Sequence, residues 1–141
     1  MKKLLVLIAL LPIVALAASR ERVVALGGDV TEIVYALGAQ SSLVARDSTS
    51  QWPEAANALP DVGYLRQLNA EGILATRPTL VLASAQAQPS LALKQLEQSN
   101  VRVVTIPASN ELNVIDEKIR VIAEATHRDN TYHLRCLERT G

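Results

Sequence analysis

The chain has no phenylalanine, one tryptophan and three tyrosines, so aromatics make up only 3% of its 141 residues. A packed interior therefore has to be assembled from Val, Ile, Leu and Ala. A single cysteine, Cys136, excludes an internal disulfide. Neither sign of charge is in excess, with 14 basic and 14 acidic side chains. The basic surface that holds nucleic acid is missing, and no nucleic-acid partner is expected. After residue 17 no apolar run approaches the ~20 residues that a membrane-spanning helix needs, and no internal repeat or low-complexity tract interrupts the chain.

The common signatures of chemistry are missing too. GxGxxG and the Walker lysine do not occur. The nearest approach, GGDVTE, is a glycine turn before a helix, and it reads as structure because Asp29 is expected at the N-cap where an anion would sit. His127 and His133 have no further ligand types at metal spacing, so solvated histidines are expected. Ser48, Thr49 and Ser50 lack a matching His and Asp set, which argues against nucleophilic hydrolysis. The chain reads as a binder, not an enzyme. A small exported α/β enzyme is the alternative of another class.

What is present begins with an address. Lys2 and Lys3 precede an apolar run over residues 4–17 that closes on Ala15, Leu16 and Ala17, the pattern of a secretory signal peptide over residues 1–17. No cysteine stands at the cleavage site for lipid attachment, so a free exported chain is expected, and Cys136 would be a lone thiol in an oxidising compartment.

From residue 22 apolar runs alternate with helical patterns. A β-branched run over residues 22–26 ends at Gly27 and Gly28, and Asp29 with Glu32 forms a capping-box pattern. Ile33, Val34 and Leu37 supply the buried stripe of the following helix, with Gly38 as its C′ residue. A second strand is expected over residues 43–45, then a long polar loop with Trp52, Pro53 and Pro60. Tyr35 and Trp52 read as packing residues, Trp52 with the option of lining a ligand cleft.

The stretch DVGYLRQLNAEG, residues 61–72, organises the rest. Gly63 permits a sharp turn that projects Tyr64 outward, Asn69 is a helix N-cap, and Glu71 falls in the first turn. That helix ends before Pro78. A third strand follows over residues 80–83, and Pro89 opens a helix faced by Leu93 and Leu96 and closed by Asn100. Residues 101–106 make a fourth strand, and Ile115, Ile119 and Ile122 recur at helical spacing. The fold class is α/β, a parallel sheet of about four strands with helices on both faces. The domain is expected over residues 18–127, with an irregular tail over residues 128–141.

On residue type alone, Tyr64 is either a surface tyrosine packed on its own loop or a phenolate ligand for a hard ferric ion. Glu71 has a sufficient structural role in offsetting the helix dipole.

GGDVTEIVYALGA, ARDSTSQWP and DVGYLRQLNAEGILATRPTLVLAS together resemble the N-terminal lobe of a periplasmic haem-binding protein. Such proteins are the class III substrate-binding component of bacterial haem ABC importers, and the likeness covers about residues 22–126. The resemblance implies haem as transported ligand, with Tyr64 as axial ligand to its iron. It implies Arg66 as a partner of the phenolate or of a haem propionate, and Glu71 as a contact for arginines of an inner-membrane ABC permease. It also implies a periplasmic location and an outer-membrane haem receptor system upstream. A ferric siderophore or corrinoid carrier is the alternative within the same fold. The second lobe that the resemblance implies has no counterpart after Arg128, which reads as truncation or as a non-functional gene remnant.

Overall fold

The structure, a computed structural model, describes residues 20–109 and 111–132. The expected signal peptide, His133 and Cys136 lie outside the described residues. Four strands, β1 (Val23–Leu26), β2 (Leu43–Arg46), β3 (Leu80–Ser84) and β4 (Arg102–Ile106), form one parallel sheet in the order β2-β1-β3-β4. Between them run α1 (Gly28–Ala36), α2 (Ala70–Leu74) and α3 (Ser90–Gln98), and α4 (Leu112–Ala125) follows β4. Short 3-10 turns occupy Gln40–Ser42 and Glu54–Ala58.

The apolar runs become strands because the sheet is buried on both faces. Val23, Ala25, Leu80 and Leu82 pack on one side with Val30 and Val34 of α1 and Ile122 of α4. Val24, Leu26, Val81 and Ala83 pack on the other with Ile73 of α2 and Ala92 and Leu96 of α3. Both layers are aliphatic, as the composition requires.

The helix ends largely follow the expected chemistry. Asn69 caps α2, its side chain accepting the Glu71 N–H at 2.9 Å. Asn100, at φ +63°, closes α3, its N–H donating to Glu97 O while that of Val101 donates to Leu96 O. Gly38 closes α1 in the same way.

The start of α1 departs from expectation, for no capping box forms. The N-cap is Gly27, at φ +132°, without a side-chain cap, and Asp29 already lies in the first turn. The reason is long-range. Buried Asp47 takes the Gly27 N–H at 2.9 Å, so the turn is fixed from the β2 side and the helix begins at Gly28. Asp29 is left to accept the Val30 N–H and to pair with Lys118.

The buried stripe of α1 is also rotated. Val30, Thr31 and Val34 are its buried residues, with Leu37 just after it, while Ile33 is half-buried. The irregular tail expected from Arg128 is helical over residues 129–132, and Tyr132 packs against the core. Among the described residues no helix is long and apolar enough to cross a membrane.

Candidate functional site

In the order β2-β1-β3-β4 the chain leaves β1 towards one edge of the sheet and β3 towards the other. Their carboxyl ends therefore part company and leave a crevice, the usual ligand position in open α/β sheets. A cleft of about 590 Å³ opens there. Its floor is the Gly27–Gly28 turn after β1 and Ser84 at the end of β3, and its walls come from Thr49, the Tyr64–Arg66 segment and α4.

The Tyr64 segment is held on both sides. Upstream, residues 60–63 run beside β2. Arg46 donates its N–H to Pro60 O and accepts that of Val62, and the Ser48 N–H donates to Gly63 O at 2.9 Å. Gly63 sits at φ +102°, a region that strains any residue with a side chain. Downstream, Leu65 and Leu68 are buried, and their main chains pair with that of Gln88. Tyr64 is left between these anchors, 44% exposed and facing the cleft. Among the described residues no side chain hydrogen-bonds its phenol.

Arg66 lines the same cleft and is exposed, with no ion-pair partner among the described residues. Glu71 does not line it. It lies exposed in the first turn of α2, beyond the Tyr64 segment. Of the three residues singled out in the sequence, the fold thus brings Tyr64 and Arg66 together and sets Glu71 apart.

Two side chains at the cleft were not expected there. Lys118 of α4 is buried, and its Nζ lies 2.7 Å from Asp29 Oδ2. Ile115, expected on the inward face of α4, is 43% exposed and forms an apolar wall together with Ile33. A lysine within an otherwise apolar helical stripe was the available signal. Trp52 is not a packing residue. It is 66% exposed and lines a neighbouring groove with Tyr35 that shares Glu32 and Ile33 with the main cleft.

The polar floor is preorganised. Asp47 accepts the Ser50 and Thr49 hydroxyls, each at 2.6 Å, besides the Gly27 N–H, and the Thr31 hydroxyl donates to Ser50 Oγ. Asp61, behind the cleft wall, is raised by burial. The Gly63 N–H, the Ser48 hydroxyl and the Arg46 guanidinium together outweigh that effect and hold its carboxyl below the ordinary carboxylate range. Among the described residues no group of His, Cys, Asp and Glu is arranged to hold a metal ion. A ligand here meets the Tyr64 phenol, the Arg66 guanidinium, the Glu32 carboxylate and the Asp29–Lys118 pair, with Ile33, Leu65 and Ile115 as the aliphatic part of the walls.

A family model for periplasmic binding proteins matches residues 23–133, the whole of the sheet and its helices. The chain belongs to the periplasmic binding protein family. By sequence, the vitamin B12-binding protein of Vibrio vulnificus (strain YJ016) is 37% identical over 103 residues, covering 73% of this chain and 38% of that protein. The periplasmic haem-binding protein HutB of Vibrio cholerae superposes with a TM-score of 0.76 at 40% identity, covering 82% of this chain and 44% of HutB. The periplasmic vitamin B12-binding protein BtuF of the same organism gives 0.66 at 26% identity, covering 84% and 49%. The chain spans less than half the length of these relatives. Its four-stranded parallel sheet is the N-terminal lobe of a class III periplasmic binding protein, in a family of binding proteins rather than enzymes.

Proposed function

We propose that this lobe binds haem in the periplasm for delivery to an inner-membrane ABC permease. The observation that carries the reading is Tyr64, a phenol without a partner among the described residues, projecting into a cleft at the switch point of the sheet. Ferric iron is a hard acid, and a tyrosinate is an established axial ligand of haem. In this reading Tyr64 supplies the iron ligand. Arg66 meets either the phenolate or a propionate, and Ile33, Leu65 and Ile115 cover the macrocycle. Glu71, on a different surface of the lobe, contacts the permease. The greater likeness to HutB than to BtuF favours haem.

A corrinoid is the second reading, favoured by the sequence match to a vitamin B12-binding protein. Titrating the purified chain with ferric haem and, separately, with cobalamin separates the two. Haem binding should shift the haem spectrum and add a phenolate-to-iron charge-transfer band, with cobalamin not retained. Retention of cobalamin without any haem spectral change would replace the first reading by the second.

A further inference from the structure

We infer that Asp61 is a positioning residue for Tyr64, locking the turn from which the phenol projects. The inference rests on the reading of Tyr64 as the ligand to haem iron and adds a residue that does not itself line the cleft.

Asp61 gathers three donors from three segments. Its Oδ1 accepts the Gly63 N–H at 2.8 Å and the Ser48 hydroxyl at 2.9 Å, and its Oδ2 accepts Arg46 Nη1 at 3.0 Å. Arg46 is a fixed post. Its side chain is 11% exposed and also donates to Ala56 O and Asp47 O. A methyl group built on Gly63 would meet nothing within 4 Å, so the +102° angle and not crowding calls for glycine there, while neighbouring Val62 packs against the core.

What fixes the turn is hydrogen bonding, and Asp61 is the only side chain among the described residues that bonds to the Gly63 main chain. Downstream, buried Leu65 and Leu68 already anchor the chain. The direction of Tyr64 therefore depends on the upstream side, where Asp61 joins β2, the Ser48 loop and the turn. An acceptor lost there removes the bond to the Gly63 N–H while the Ser48 N–H still holds the Gly63 carbonyl, so the Gly63 φ angle is loosened and the phenol oxygen can move from the position an iron atom would need.

The test uses the full chain with ring-13C tyrosine. The three tyrosines give few signals, and Tyr64→Phe assigns the one of interest. Asp61→Ala should move or broaden the Tyr64 ring signals, leave those of Tyr35 in place, and weaken ferric haem binding on the order of tenfold. Asp61→Asn keeps a carbonyl for the Gly63 N–H and should lie between Asp61→Ala and the unmodified chain. Should Asp61→Ala not fold, Ser48→Ala removes one of the three bonds and should give a smaller change of the same kind. Unchanged Tyr64 signals, or equal movement of Tyr35, would overturn the inference. The latter would mean that Asp61 supports the fold at large. If the unmodified chain takes up no haem while the Tyr64 signals still follow Asp61, the haem reading fails and the positioning role stands.

Discussion

Lys118 Nζ lies 2.7 Å from Asp29 Oδ2, a bond that ties α4 to the first turn of α1 across 89 residues of sequence. The two partners are unequally placed, with 9% of the Lys118 side chain exposed against 46% of that of Asp29. Removing either one therefore has different consequences. Lys118→Met leaves a carboxylate that water can reach and should cost about 1 kcal/mol, whereas Asp29→Ala strands a buried ammonium and should cost about 3 kcal/mol. Urea unfolding of both variants checks the asymmetry, and equal losses would show that burial does not set it.

Tyr64→Phe keeps the ring and removes the oxygen. Since the residue is 44% exposed and its phenol has no partner among the described residues, stability should change by less than ~0.5 kcal/mol. The phenolate-to-iron band should be abolished and haem affinity reduced. A persistent band in the folded variant would remove Tyr64 from the iron.

Glu71→Lys reverses a charge on a surface that the cleft does not include. Haem binding should be unchanged and association with the permease in membrane vesicles weakened several-fold. The same permease affinity in both forms would leave Glu71 with its dipole role in α2 alone.

Acid should loosen the Tyr64 turn before it unfolds the sheet. The Asp61 carboxyl is lowered in the folded chain, because the Gly63, Ser48 and Arg46 contacts outweigh the upward push of burial. A group depressed on folding contributes stability that is fully present above its unfolded pKa of about 3.9 and is lost as pH falls through the folded value. Hydrogen-exchange protection of the Gly63 amide should stay level from about pH 7 to about pH 5 and then fall below about pH 4. In Asp61→Asn protection should be lower throughout and without that step, and a step retained in Asp61→Asn would assign it to another group.

Strand positions, the Asn69 cap and the turn at Gly63 were legible in the sequence because each is decided within a few neighbouring residues. An apolar run bounded by glycine or proline has few ways to be anything other than a covered strand, and Asn69 caps with its own side chain. The start of α1 was not legible, since the donor that displaces the expected cap goes to Asp47, 20 residues further on. The cleft wall was hidden for a similar reason. Helical spacing identifies Ile115, Ile119 and Ile122 as one stripe, but only the packing of α4 on α1 shows that its first turn overhangs the cleft and leaves Ile115 exposed. Likewise DVGY displays Tyr64, while the partners of Asp61 come from β2 and the loop after it.

Apart from those of Asp61, the hydrogen bonds that attach the segment around Tyr64 are made by main-chain groups: Arg46 with Pro60 and Val62, Ser48 with Gly63, and Gln88 with Leu65 and Leu68. Such bonds do not depend on which side chain stands at position 64. A mutation there alters what the lobe offers a ligand and leaves its scaffold untouched, so specificity can drift by single substitutions during evolution without passing through an unfolded intermediate. Solved structures of a haem-binding and of a vitamin B12-binding protein share this fold.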